Sequence, residues 1–104
     1  MLDPLYIGEP NTIFCEIRDA DEANVTSATV TFSIKDAAGT VVGTANIAMA
    51  YVAARTRYEG TFSAVNSALL DEATDDSPNY FVWITATGYT LRKLERVAKY
   101  RGRI

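Results

Sequence analysis

The residues of this chain that could take part in catalysis are few and lie far apart in the sequence. Cys15 is the single cysteine, and the chain has no histidine to act as the base that a nucleophilic thiol needs. Glu59 and Asp71 could be imagined as an acid–base pair, but nothing in the sequence fixes them near each other. The six glycines are scattered, so no glycine-rich phosphate loop is present. We therefore expect that the protein is not an enzyme.

Cys15 has a simpler interpretation than catalysis. It alternates with Ile13 and Ile17, which is the spacing of residues on one face of a strand. A buried cysteine behaves as a small apolar residue. A single cysteine also cannot form an internal disulfide, which argues against a disulfide-stabilised secreted module.

Two groups of acidic residues contain the oxygen ligands that calcium prefers. The first combines Asp19 and Asp21 with Asn24. The second contains four acids, Asp71, Glu72, Asp75 and Asp76. Neither group has the twelve-residue loop with its glycine and terminal glutamate, so solvated turns are the favoured interpretation over calcium sites. We expect no metal and no cofactor.

The most informative stretch is Tyr80–Ala86, which is aromatic and β-branched throughout and contains no glycine or proline. This is the composition of a central β-strand. If Tyr80, Val82 and Ile84 face the core, Phe81 and Trp83 point away from it. The two aromatics then form either a protein-contact or sugar-stacking surface, or a second small core covered by another segment of the chain.

Basic residues are concentrated at the end of the chain. The net charge of the whole chain is −3, but residues 1–91 carry four basic and twelve acidic groups. Six basic residues and one acid follow: Arg92, Lys93, Arg96, Lys99, Arg101 and Arg103, with Glu95. Such a segment can be a solvated strand edge, a docking surface for the acidic body of a neighbouring copy, or a phosphate-binding segment. The acidic body disfavours the last of these.

Strands dominate the rest of the pattern. Clear alternation with period 2 predicts strands at 12–18, 28–35 and 56–64, and the return from a turn at 36–39 predicts another at 40–49, with Val41, Ala45, Ile47 and Met49 inward. A single helical turn is expected within 66–73, capped by Asn66 or Ser67. Residues 90–101 fit either a helix or a strand, and the glycine turn before them favours a hairpin partner of the central strand.

The spacing of these elements predicts a single all-β domain over residues 1–104. About seven antiparallel strands with one short helical turn are typical of an immunoglobulin-like β-sandwich. Tyr80 has the position of a tyrosine corner, and we expect its hydroxyl to donate a hydrogen bond to backbone in the preceding loop. Val82 stands where antibody domains have a disulfide cysteine, so the core must be held by packing alone.

Four stretches resemble small proteins encoded among the head and tail genes of tailed phages and prophages. They are NVTSATVTFSIKD at 24–36, NIAMAYVA at 46–53, YEGTFS at 58–63 and YFVWITATG at 80–88. The resemblance implies an immunoglobulin-like domain that is a virion or assembly component, and it transfers no catalytic residue.

The function predicted from these observations is that of a non-enzymatic structural or accessory protein of a phage or prophage particle. The predicted interaction surface comprises eight residues, Phe81, Trp83, Val97, Arg92, Lys93, Arg96, Lys99 and Arg101. The expected partners are other copies of the chain or phage structural proteins, rather than membrane, nucleic acid or a small molecule. With no apolar leader or membrane-length apolar run, the expected location is the virion, or the host cytoplasm during assembly. The competing function is an adhesin-like or carbohydrate-binding module that uses Phe81 and Trp83 as a platform.

Overall fold

The protein is mostly β-structure, as the alternating sequence predicts. A computed structural model describes residues 4–75, 77–89 and 91–101. The strands within these ranges are β1 Leu5–Tyr6, β2 Asn11–Cys15, β3 Val30–Asp36, β4 Ile47–Val52, β5 Arg57–Phe62, β6 Tyr80–Ala86, β7 Arg92–Arg96 and β8 Ala98–Lys99. A 3₁₀ turn at Ala53–Arg55 joins β4 to β5, and the short helix α1, Ala64–Ser67, follows β5.

Six of the strands form one curled antiparallel sheet in the order β2-β5-β4-β3-β6-β7. The remaining two, β1 and β8, form a small parallel pair. β4 changes its partner half-way along its length. Ile47 to Met49 pair with β3, whereas Ala50 to Val52 pair with β5. This strand therefore joins the two halves of the curled sheet.

The core lies inside the curl, where side chains from opposite halves of the sheet meet. Phe32 on β3 and Phe62 on β5 are completely buried, and their ring centroids are 6.4 Å apart in an edge-to-face arrangement. Gly60 lies beside them because there is no room for a side chain. A Cβ atom there would stand 2.8 Å from Phe32 Cε1 and 3.0 Å from Met49 Cγ.

The two faces of β6 differ as the sequence predicts. Tyr80, Val82 and Ile84 are buried, whereas Phe81 and Trp83 are half-buried on the opposite face. The predicted hairpin is also confirmed, because β7 runs antiparallel to β6 after a turn at Gly88, whose φ is +84°. Residues 90–101 are therefore not a helix over the part that the structure describes.

The strand predicted at 40–49 is wrong in its first half. Val41 makes one bridge to Lys35, and the chain then leaves the sheet through Gly43 and Asn46, which both have positive φ. Ala45, predicted to face inward, is exposed. The side chain of buried Ser33 accepts a hydrogen bond of 2.8 Å from the backbone N–H of Asn46, which brings the chain back to begin β4.

The helical turn predicted within 66–73 lies earlier. Its N-cap is Ser63, whose hydroxyl accepts a hydrogen bond from the backbone N–H of Asn66. Ser67, predicted as a possible cap, is instead fully buried within α1, where its hydroxyl donates a 2.7 Å hydrogen bond to the carbonyl of Glu9. The need to satisfy this buried hydroxyl ties the helix to the turn before β2.

The hydroxyl groups of two buried tyrosines form hydrogen bonds with the backbone of nearby loops. The Tyr80 hydroxyl accepts a 2.8 Å hydrogen bond from the backbone N–H of Asp71, so the contact with the preceding loop is confirmed but the predicted donor is wrong. Tyr58, which sequence analysis did not single out, makes two such bonds. Its hydroxyl donates to the carbonyl of Val25 at 2.7 Å and accepts from the N–H of Ala28 at 3.0 Å.

Candidate protein-contact surface

The outer side of the β3–β6–β7 part of the sheet brings the two aromatics together with basic side chains from both neighbouring strands. Trp83 lies opposite Ser33 on β3 and Lys93 on β7. Phe81 lies opposite Lys35 on β3. Side chains on alternate positions share a face, so these residues form one continuous surface. We call the set Lys35, Phe81, Trp83 and Lys93 the outer aromatic face.

Two ammonium groups lie over the indole ring of Trp83. The distance to the ring centroid is 3.8 Å from Lys35 Nζ and 4.1 Å from Lys93 Nζ. Both are well within the range of a cation–π interaction. Among the described residues, neither lysine forms an ion pair with a carboxylate. The outer aromatic face therefore combines two aromatic rings with two ammonium groups, and Glu95, which lies opposite Phe81 on β7, adds one carboxylate beside it.

A shallow cleft of about 220 Å³ lies between the outer aromatic face and the turn after β3. Asp36 and Gly39 of that turn line it together with Phe81, Trp83 and Lys93. The Asp36 carboxylate accepts backbone hydrogen bonds of 2.9 Å from Ala38 and Thr40, so it shapes the turn. The wall of the cleft is consequently held in place by backbone geometry.

The basic segment is not a single surface. Lys93 belongs to the outer aromatic face, whereas Arg92 and Arg96, on alternate positions of the same strand, line a groove on the other side of β7. The alternation of a strand produces this division. The predicted interaction surface is therefore divided between the two sides of β7.

Lys99 and Arg101 lie at a third place, beside β1. The Arg101 guanidinium carbon is 3.7 Å from the centroid of the Tyr6 ring, and Lys99 Nζ is 6.0 Å from it. Arg101 also forms an ion pair of 3.0 Å with Glu9. Lys99 and Arg101 therefore connect the last described residues to the region of β1. Arg103 lies outside the described residues.

Val97 has a structural role between β7 and β8. It is half-buried, and its carbonyl accepts a 2.9 Å hydrogen bond from the N–H of Leu5. It does not line the cleft beside Phe81 and Trp83. The structure therefore gathers Phe81, Trp83 and Lys93 from the predicted set and adds Lys35, which the sequence analysis had not singled out.

A second cluster missed by sequence analysis surrounds Glu59. Arg55 Nε and Arg57 Nε lie 2.6 Å and 2.7 Å from Glu59 Oε2. These hydrogen bonds lower the pKa of the Glu59 carboxyl from 4.5 to about 2. The Arg57 guanidinium also stacks on Phe14, with its carbon 3.9 Å from the ring centroid. The signal in the sequence is the spacing of Arg55, Arg57 and Glu59, which lie two residues apart.

The structure places Asp19 and Asp75, considered above for calcium, in hydrogen bonds to nearby backbone, and Cys15 in the core. One carboxylate oxygen of Asp19 accepts backbone hydrogen bonds from Asp21 and Ala23, and one of Asp75 accepts from Ser77. Hydrogen bonds from the backbone and the side chain of Ser77 lower the pKa of Asp75. Asp76 lies outside the described residues. Cys15 is buried, and burial raises the pKa of its thiol.

Comparison of the chain with known protein families, with curated proteins and with solved structures found no match. Within the described ranges, no helix has the length and apolar character needed to cross a membrane. The contacts and charges of the surface itself are therefore the basis for a functional proposal.

Proposed function

We propose that the protein is a non-enzymatic structural or accessory component of a tailed phage or prophage particle that acts through protein–protein contacts. The observation that carries the proposal is the outer aromatic face, where Trp83 lies beneath two lysines that have no carboxylate partner among the described residues. Aromatic residues are enriched at protein interfaces, and tryptophan is among the residues that contribute most to binding there. The phage context is supported by the resemblance of the strand sequences, and it implies a place in the virion, or in the host cytoplasm during assembly.

The two ammonium groups over Trp83 favour an acidic partner group. A second copy of the chain offers one, since residues 1–91 carry twelve acidic and four basic groups. Contact between the basic face of one copy and the acidic body of the next is heterologous. Interfaces of this type close into rings when the rotation between copies permits it. Rings of identical subunits are a suitable architecture for a particle component.

The finer fold assignment in this proposal is an immunoglobulin-like sandwich. Three features support it: the partner change in β4, which divides the sheet into two halves, the parallel pairing of β1 with β8, and the hydrogen bond from Asp71 to Tyr80. The last feature has the position of a tyrosine corner at the start of the strand. In this assignment, the two halves of the curled sheet are the two packed layers of the sandwich.

A carbohydrate-binding module is the second candidate, and the cleft of about 220 Å³ beside Phe81 and Trp83 is the observation in its favour. The two lysines weigh against it. A sugar that stacks on the indole ring would compete with ammonium groups at 3.8 Å and 4.1 Å from the ring centroid. The protein-contact function is therefore better supported by the geometry.

Size-exclusion chromatography with light scattering, at several protein and salt concentrations, tests the proposal. We expect a concentration-dependent assembly that weakens as salt rises, because exposed charges are screened. The double variant Lys35→Gln with Lys93→Gln should abolish assembly while preserving the melting temperature. Leu69→Ala, which truncates an exposed apolar residue outside the outer aromatic face, is the matched control.

Two results would overturn the proposal. The first is a monomer at every concentration together with specific binding on a glycan array, which would favour the carbohydrate module. The second is assembly that the double lysine variant leaves unchanged. Trp83→Ala serves as an additional variant, and an equal loss of assembly and of melting temperature would assign Trp83 to the core rather than to a contact surface.

A further inference from the structure

A groove of about 410 Å³ opens between the two edge strands of the curled sheet, on the side opposite the outer aromatic face. One wall consists of Phe14 and Cys15 of β2 together with Glu16, which directly follows that strand. Arg92, Leu94 and Arg96 of β7 form the other. Arg55 and Arg57 also line it. We call this the arginine groove.

One edge of the arginine groove is an open strand. In the part of the chain that the structure describes, β7 has only β6 as a strand neighbour. The continuation of that edge is already used for pairing, since the carbonyls of Val97 and Lys99 accept 2.9 Å hydrogen bonds from the N–H groups of Leu5 and Ile7 of the β1 segment. Backbone groups along a strand alternate in direction, so those of Lys93 and Glu95 face the same edge. A row of such groups is a template for another strand.

The arginines give the groove a positive charge. Arg55 and Arg57 share the single carboxylate of Glu59. Among the described residues, neither Arg92 nor Arg96 forms an ion pair, and the Arg96 guanidinium donates a hydrogen bond to the carbonyl of Glu95. Glu16, the one acid among the described lining residues, forms an ion pair of 3.3 Å with Arg18. Guanidinium groups in this arrangement suit carboxylates, which they bind in a bidentate manner.

The groove is apolar at its base and continues beyond the arginines. Cys15 is 6% exposed and Leu94 is half-buried, so both present apolar surface. A second hollow of about 210 Å³ shares Cys15 and Arg92 with the first and reaches Ile84 and Tyr89. A binding segment would thus meet arginines and apolar side chains along its length. In an extended chain, alternate side chains point to opposite faces, which suits this mixture.

We propose that the arginine groove binds an extended acidic segment of a partner protein, which adds as a strand to the open edge of β7. Backbone hydrogen bonds to Lys93 and to the N–H of Glu95 hold the segment, whereas the Glu95 carbonyl already accepts a bond from Arg96. The carboxylates of the segment bind Arg92 and Arg96. Its apolar side chains pack on Leu94 and Cys15. Arg57 is already oriented for this by its stacking on Phe14 and its bond to Glu59, which reduces the ordering required on binding.

A peptide fits the groove better than a nucleic acid does. Single-stranded nucleic acids stack their bases on aromatic side chains, but the ring of Phe14 is covered by the Arg57 guanidinium. The open backbone edge of β7 presents carbonyl acceptors as well as N–H donors, and another peptide matches both, whereas a phosphate group satisfies only the donors. The site is also independent of the outer aromatic face, because alternate residues of β7 contribute to the two surfaces.

Fluorescence anisotropy with labelled ten-residue peptides tests the proposal on the full chain. The probe alternates glutamate and valine, and the control peptide alternates lysine and valine. We expect saturable binding of the acidic probe only, weakened about tenfold or more in the double variant Arg92→Gln with Arg96→Gln. Lys99→Gln, which changes a basic residue outside the groove, should bind the probe like the original chain.

Strand addition is tested separately from charge attraction. Methylation of alternate backbone nitrogens of the acidic probe leaves its charge unchanged but removes the donors that pair with β7. Two probes are needed, one methylated at the odd and one at the even backbone nitrogens. We expect only one of them to lose binding, because alternate N–H groups of a strand point to opposite edges. Equal binding by both methylated probes, no saturable binding of the acidic probe, or tighter binding of a ten-nucleotide oligothymidine would each overturn the proposal. The variant Lys35→Gln, which changes a residue of β3 on the outer aromatic face, should not change probe affinity, and this separates the result from self-assembly.

Discussion

Lys93 and Trp83 lie directly opposite each other in the β6–β7 ladder, and Lys93 Nζ is 4.1 Å from the centroid of the indole ring. Lys35 approaches the same ring from β3 at 3.8 Å. The surface that we propose as a contact site is thus built around one aromatic ring and two cations from the flanking strands. Since Trp83 is the only tryptophan in the chain, its fluorescence reports directly on this surface.

Quenching of Trp83 fluorescence should depend on the charge of the quencher. We expect iodide to quench more strongly than caesium at equal ionic strength, because two ammonium groups concentrate anions near the ring. Stern–Volmer plots measure the difference. In the variant Lys35→Gln with Lys93→Gln the ratio of the two constants should fall to near that of a free tryptophan derivative. A ratio unchanged by the double variant would contradict the arrangement of the lysines.

Acid should destabilise the protein partly through Glu59. Hydrogen bonds from Arg55 and Arg57 lower the pKa of Glu59 in the folded state from 4.5 to about 2. Because the folded pKa is the lower one, the stabilisation is complete above about pH 4.5 and is lost as the pH falls towards 2. We expect Glu59→Gln to be less stable at pH 6 but to lose less stability between pH 4.5 and 2.

Urea unfolding at pH 6, 4.5, 3 and 2 measures this effect. Glu16→Gln is the matched control, because Glu16 makes an exposed ion pair with Arg18 at 3.3 Å, and such pairs contribute little. A Glu59→Gln curve parallel to that of the original chain over the whole pH range would show that the two arginines do not stabilise the folded carboxylate.

Tyr58→Phe should lower the free energy of unfolding by about 1–3 kcal/mol, since it removes one buried hydrogen-bonding group and leaves two backbone partners unsatisfied. Those partners are the carbonyl of Val25 and the N–H of Ala28. Equilibrium denaturation measures the loss. Tyr89→Phe removes the hydroxyl of an exposed tyrosine and should stay within about 0.5 kcal/mol. Equal effects of the two changes would contradict the role assigned to Tyr58.

Gly60→Ala should also destabilise the protein, by about 1–3 kcal/mol, because the added methyl group overfills the core. It would stand 2.8 Å from Phe32 Cε1 and 3.1 Å from the carbonyl oxygen of Ala48. Thermal unfolding is a suitable measurement, with Thr61→Ala at the neighbouring exposed position as the control. A melting temperature that is the same in both variants would show that the core accommodates the methyl group.

The facing of β6 could be predicted because it depends on local alternation alone. Tyr80, Val82 and Ile84 share one face whatever strand lies beside them. The lysine partners of Trp83 could not be predicted in the same way. Lys35 reaches the ring only because β3 and β6 pair in one particular register, and that register is set by contacts between distant parts of the chain.

The arginine groove was beyond sequence analysis for a similar reason. It exists because the sheet curls and brings β2 near β7, although the two strands are at opposite ends of the strand order. The prediction of a strand at 40–49 was wrong for a different reason. Alternation continued through Val41 and Ala45, but the positive φ of Gly43 and Asn46 diverts the backbone, and the polar contact between Ser33 and Asn46 outweighs the apolar pattern.

The pairing of β3 with β6 has a consequence for how the chain is made. Val30 pairs with Ala86 and Asp36 with Tyr80, so the longest ladder of the sheet joins an early segment to a late one. During translation β3 emerges from the ribosome well before its neighbour is synthesised, and one of its backbone edges stays unsatisfied for that interval. Nascent chains that stop before residue 86 are therefore expected to depend on chaperones, because the native centre forms only when β6 is available to pair with β3.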